Sequence, residues 1–221
     1  QRQEDAFHHL NDFGLPGRGE ATRVALAYAW KDFEDNIMGF PEYGACKRPA
    51  KGLPVLEING AEYTRSTALL RYAGKLGGLY PEDALVAVKA DVIVMIGEDV
   101  MANVFKCMGD KDDTVVKGVL DGKTMPNTYG TVQQTGTWKP VKGLVELLVP
   151  KLAANPSSKF FVGTSPTIAD VQVHAVIKNA EASFLMGIST TLIADTAPAL
   201  MEMQAALLED PKVKAYYASK A

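Results

Sequence analysis

The sequence predicts an α+β fold in two parts, a small mixed-sheet domain over residues 1–81 and an all-helical domain over residues 84–221. Three observations carry that reading. Every convincing strand pattern lies in the first part. Asn59-Gly60 sits between two short strand-forming runs, Val55-Leu56-Glu57-Ile58 and Ala61-Glu62-Tyr63-Thr64, and a type I′ hairpin turn needs positive φ at both central residues. After Leu79-Tyr80-Pro81-Glu82-Asp83 no strand pattern returns, and apolar residues recur at helical spacing.

Taken in order, Phe7 to Phe13 is a weak strand whose alternation of Phe7/His9 against His8/Leu10 permits pairing. Gly14-Leu15-Pro16-Gly17 is a turn. From Gly19 to Trp30 the pattern is helical, with Ala21, Val24, Ala25, Tyr28 and Ala29 on one face. Phe33 to Met38 reads as a second strand, and Gly39 to Gly52 as an irregular loop. The hairpin follows. A helix then opens at Arg65-Ser66, with Leu69, Leu70, Ala73 and Leu76 on one face, and Gly77-Gly78 stops it. The order β-α-β, loop, β-β-α is the thioredoxin-like arrangement, parallel in its first half and closed by a hairpin.

In the second part, Ala84 to Phe105 is a long helix carrying Leu85, Val88, Val92, Met95, Ile96 and Val104. Residues 109–140 are rich in Gly, Thr, Asp and Pro; so long a loop inside a compact domain points to a functional or interaction segment. Val141 to Leu152 is amphipathic. Thr167, with Asp170 three residues on, is a capping-box start. Pro198 to Leu208 is helical, and Asp210-Pro211 starts a last helix with Val213, Tyr216 and Tyr217 inward.

The 221 residues are 47% hydrophobic and 22% charged, the balance of an ordinary globular protein. A net charge of −3 gives no electrostatic case for nucleic acid or an anionic membrane. No apolar run reaches membrane-spanning length. Two cysteines, Cys46 and Cys107, make no disulfide framework, so a reducing compartment is the default: cytoplasm, or an organelle if a leader preceded Gln1. Gly14, Gly17 and Gly19 have the wrong spacing for a dinucleotide loop, and Gly122-Lys123-Thr124 lacks the first half of a phosphate loop. His8, His9 and His174 have no ligand-spaced partners, so no metal and no cofactor is expected.

Pro54 and Ser66 carry the chemistry. Pro54 leads into a strand expected at the sheet edge, and a cis Leu53-Pro54 bond there exposes the Leu53 backbone to a bound peptide. Ser66 places a hydroxyl and free backbone N–H groups at a helix start, a carboxylate site. With Phe13 to Arg23 (FGLPGRGEATR), Phe40-Pro41-Glu42, Lys51 to Glu57 (KGLPVLE), Arg65 to Tyr72 (RSTALLRY), Phe161 to Asp170 (FVGTSPTIAD) and the C-terminal DPKVKAYY, the chain resembles a cytosolic-type glutathione transferase of the sigma/mu/alpha-related group over nearly its full length. The resemblance implies a thioredoxin-like domain, an all-helical domain, and usually a dimer. It implies that Leu53, beside cis Pro54, pairs with the cysteinyl unit of glutathione, that Ser66 holds the γ-glutamyl carboxylate, and that Phe40 lines the site. Arg18 matches an arginine beside the catalytic residue, and Thr167 with Asp170 matches a structural capping pair.

Two positions depart from that pattern. Asp12 stands where these relatives use a tyrosine hydroxyl to lower the pKa of the thiol. An ionised carboxylate can only accept a hydrogen bond, and its charge raises the thiol's pKa. Arg18 is the cation expected to pair with it. Arg65 stands where relatives commonly carry Gln; it can still bind a carboxylate. The reading that follows is a transferase-like protein without normal thiol activation, serving as a binding or structural subunit of a larger assembly. Its alternative is an active transferase conjugating glutathione to a small electrophile. Glutathione is substrate or ligand accordingly, and the partner is a second copy or a larger complex.

Overall fold

The computed structural model describes residues 6–30, 32–46, 52–106, 144–182 and 189–220. The 109–140 segment and Cys107 lie outside the described residues.

Four strands form the sheet: β1 (His8–Phe13), β2 (Phe33–Met38), β3 (Val55–Ile58) and β4 (Ala61–Thr64), in the order β2-β1-β3-β4. β1 and β2 are parallel, from His8↔Phe33 to Phe13↔Met38; β1 and β3 are antiparallel, through Asn11↔Val55. Asn59 (φ 51°) and Gly60 (φ 84°) close the hairpin as the turn chemistry requires. Pro54 therefore leads into an interior strand and not the edge strand expected; the edges are β2 and β4. The reason is burial. Val55 and Leu56 are fully buried against β1, whereas Ala61, Glu62 and Tyr63 of β4 are exposed and suit an edge.

α1 (Glu20–Tyr28) and α3 (Ser66–Gly77) cover one face, and Leu10, Val24, Ala25, Leu56, Leu70 and Ala73 are among the buried residues of the core. Gly78 (φ 76°) ends α3 as a left-handed C-cap. A short helix, α2 (Phe40–Ala45), stands inside the stretch 39–52 that was expected as an irregular loop. Proline in its first turn and the Glu42 carboxylate accepting from the Gly39 N–H start it. It buries no residue, so no hydrophobic period marks it in the sequence.

Every regular element of the second part's described residues is a helix. α4 (Ala84–Lys106) packs against α6 (Ile168–Glu181) through Ala90, Ile93, Val94, Val100 and Met101, and Gly97 lets the helices close, since a Cβ there would lie 2.8 Å from Gln172. The residues that look like its apolar stripe, Leu85, Val88, Val92 and Met95, instead face solvent at 64%, 51%, 42% and 40% exposure. α4 thus has apolar residues on two faces, one packed against α6 and one exposed among the described residues. A π-helical turn (Leu144–Leu148) precedes α5 (Val149–Ala153) where a plain helix was expected. α6 is almost wholly buried and begins with the Thr167/Asp170 capping box. α7 (Leu192–Thr196), α8 (Pro198–Leu208) and α9 (Pro211–Ala218) follow, the last with Asp210 accepting from the Lys212 N–H. Val213 of α9 is fully buried, with α9 lying against α1. No helix among the described residues is long and apolar enough to cross a membrane.

Candidate functional site

Strand register gathers the singled-out residues at one end of the sheet. Asn11 pairs with Val55, and Val55 with Thr64. One step further, the end of β1 (Asp12, Phe13) comes beside Leu53-Pro54, and Arg65-Ser66 leave β4 at the same end. The Leu53–Pro54 peptide is cis. Pro54 is buried and Leu53 half-buried. Arg65 occupies the N-cap of α3 at φ 77°, a left-handed conformation that a side-chain-bearing residue rarely takes, and its side chain is exposed.

Ser66 does not stand open. It lies beside Glu98 of α4, whose carboxylate accepts from Arg18 Nε at 2.6 Å. Arg18 also lies over the Phe105 ring, 5.2 Å from its centroid. Arg18 thus couples the β1–α1 turn to α4 through Glu98, which no sequence signal had marked.

The expected pairing of Arg18 with Asp12 is not what the fold makes. The cation beside Asp12 is Arg23, whose Nη2 lies 3.6 Å from Oδ2. Asp12 is 3% exposed and turned toward α1, close to the backbone of Phe13 and Gly19, while Oδ2 makes no hydrogen bond. Gly19 is required here, because a Cβ would overlap the carboxylate. Alternation along β1 explains the direction: Leu10 and Asp12 share the face under α1, and Phe13 takes the other. Phe13 stacks on Phe40 with centroids 4.6 Å apart and meets Tyr43 edge-on at 5.3 Å. Phe40 itself is 63% exposed, an aromatic wall open to solvent.

Burial is the main influence on the Asp12 carboxyl and raises it to about 6, against the opposing pull of Arg23. Because the folded value lies above the unfolded one, the stabilising contribution is complete below pH 3.8 and is lost as pH rises through about 6. The magnitude is on the order of 3 kcal/mol. Stability of the chain relative to Asp12→Asn is therefore expected to rise on acidification from pH 7 to 4.5. Urea titrations of both proteins across that range check this, and parallel pH profiles would contradict it.

No group of three or more His, Cys, Asp or Glu side chains among the described residues is placed to hold a metal ion. Two grooves lie away from the sheet end: one of about 410 Å³ between α4 and residues 151–163, one of about 450 Å³ between Trp30, Phe33 and α9. Neither contains Leu53, Pro54, Arg65 or Ser66. The functional-looking neighbours that sequence reasoning missed are Glu98, Tyr43 and Arg23. Only Arg23 had a legible hint, its i,i+3 spacing from Glu20.

Comparison with known proteins agrees with this architecture. A family model described as glutathione S-transferase, C-terminal domain, matches residues 100–220. The chain is 27% identical to "Glutathione S-transferase 1" of Ascaris suum over 168 residues, 75% of this chain and 76% of that one. It is 32% identical to "Glutathione S-transferase 2" of Manduca sexta over 125 residues, 56% of this chain and 59% of that one. Among solved structures, the prostaglandin synthase D of Nilaparvata lugens superposes with a TM-score of 0.78 at 19% identity, covering 97% of this chain and 98% of that one.

Proposed function

The chain belongs to the glutathione S-transferase family, and on that premise we propose that it binds glutathione at the end of the sheet without the family's ordinary thiol activation. The Leu53 backbone beside Pro54 and the Ser66 helix start supply the contacts for a peptide and a carboxylate, Arg65 a further cation, and Phe40 a wall. The observation that carries the reading is Asp12, 3% exposed and held against Arg23 and Gly19. A carboxyl so placed donates no hydrogen bond to a ligand thiol.

The second reading, an active transferase acting on a small electrophile, is favoured by the names of the relatives and by Arg18, whose side chain is 35% exposed. A cation near a thiol favours the thiolate. Immobilised glutathione and turnover of an aryl halide separate the two. Retention with turnover at least about a hundredfold below an active family member supports the first. Turnover at the level of that member supports the second, and absence of retention overturns both.

The exposed apolar residues of α4 support a homodimer as the assembly unit. Leu85, Val88, Val92 and Met95 recur at the 3-4-3 spacing of a helix-packing seam. The protein is expected to elute at twice its 23.8 kDa chain mass, and Val92→Glu is expected to shift it to monomer, a weakening of about tenfold or more. Elution of the native protein in a much larger complex would instead support the subunit role.

A further inference from the structure

A chain of buried and half-buried polar groups runs from the core of the helical part to the end of β1. Gln204 Nε2 lies 3.2 Å from Nδ1 of His174, and Nε2 of His174 lies 2.6 Å from the Tyr217 hydroxyl. Tyr217 donates to Glu20 of α1. Glu20 faces Arg23 at 3.8 Å, and Arg23 holds Asp35 at 3.0 Å and Asp12 at 3.6 Å. The direction of the chain follows from counting protons. A phenol has one hydrogen, which goes to Glu20, so His174 donates to Tyr217 from Nε2 and accepts from the Gln204 amide at Nδ1. His174 is fully buried, and burial lowers it to about 4, so it stays neutral and keeps that arrangement near neutral pH.

We propose that Tyr217 and Glu20 are positioning residues that set how Arg23 is shared among its carboxylates, which makes the C-terminal helix α9 an electrostatic part of the site at the end of β1. Arg23 is fixed on its other side by the carbonyls of Phe13, Leu15 and Pro16, which build the β1–α1 turn. Small changes in its allegiance therefore register at Asp12 and not as a free swing of the side chain. The charged groups acting on Asp12 are Arg23 of α1 and Asp35 of β2; around these, Arg23 also faces Glu20, Asp35 pairs with Lys220 at 3.0 Å, and the Tyr216 and Tyr217 hydroxyls of α9 lie within reach of Glu20 and Arg23.

The two ends of this linkage make opposite demands. Removing the Tyr217 hydroxyl leaves Glu20 buried without its donor, so it draws Arg23 toward itself and away from Asp12. Neutralising Glu20 releases Arg23 to Asp12.

The test is a carbon-13 titration of the Asp12 carboxyl in the full chain, assigned by its loss in Asp12→Asn. Relative to the unaltered protein, Tyr217→Phe is expected to raise the Asp12 midpoint and Glu20→Gln to lower it, each by about half a unit or more. Lys214→Gln, on the same helix but paired with exposed Glu209, should leave it in place. Opposite shifts support the proposal; shifts of one sign, or none, overturn it. If Tyr217→Phe fails to fold, Glu20→Gln decides alone, a downward shift supporting and any other result overturning. The proposal rests on placing the site at this end of the sheet, yet its readout is independent of ligand. Failure to retain glutathione would remove that placement without altering the titration result.

Discussion

Replacing Arg23 with alanine is expected to cost about 3–5 kcal/mol of folding stability, the largest single effect in the sheet half. The guanidinium is 4% exposed and makes bonds in every direction. Its Nε donates to both oxygens of Asp35, its Nη1 to the carbonyls of Leu15 and Pro16, and its Nη2 to the carbonyl of Phe13. Asp12 and Glu20 complete its surroundings at 3.6 and 3.8 Å. Deleting it strands three buried or nearly buried carboxylates together, and mutual repulsion adds to their desolvation. Lysine is a poor rescue, because one ammonium cannot reproduce a planar fork that spans a carboxylate and three carbonyls. Chemical denaturation of Arg23→Ala and Arg23→Lys measures this. A loss below about 1 kcal/mol for the alanine variant would mean that the carboxylates find water or protons instead.

That cluster marks the limit of what the sequence discloses. The Asn59-Gly60 turn, the strand Phe33–Met38, the Gly78 stop and the Thr167 cap were legible because each depends on local backbone chemistry that residue type alone specifies. Four other features depend on which face a residue presents once the chain has folded. Arg18 turned to Glu98, 80 residues away, so nearness in sequence to Asp12 misassigned its partner. Arg23 sits on a helix whose apolar positions suggest nothing about a buried cation. In α4, apolar residues occupy both faces, and composition cannot say which of them this chain covers. Helix α2 buries nothing and is started by Gly39, Pro41 and Glu42, with Phe40 and Tyr43 resting on Phe13, so no period reveals it. The candidate site is split in the same way: Leu53-Pro54 and Ser66 are singled out by local signals, whereas Glu98 required the fold.

Asp170→Ala is expected to cost about 2–4 kcal/mol, through three donors left without an acceptor. Asp170 is fully buried; Oδ1 accepts from the Phe161 N–H at 2.9 Å, and Oδ2 from the Thr167 N–H at 2.8 Å and the Thr167 hydroxyl at 3.0 Å. The hydroxyl in turn accepts from Ala169, so the first turn of α6 and the chain entering it share one anchor. Burial raises this carboxyl to about 6 against those hydrogen bonds. Its contribution is therefore complete below pH 3.8 and lost through about pH 6, the same sense as Asp12. Asp170→Asn keeps an acceptor, so it should lose less stability than alanine and flatten this group's part of the pH profile. The start of α6 also docks on α3: Ile168 donates to the Leu79 carbonyl at 3.0 Å, and a Cβ at Gly74 would overlap the Ile168 side chain. Damage at Asp170 thus loosens the packing behind the helix that presents Ser66 without touching Ser66 itself. Retention on glutathione should follow the folded fraction, unchanged well below the variant's melting temperature and lost as it unfolds. A drop in retention by fully folded Asp170→Ala would instead place this cap in direct control of the Ser66 helix start.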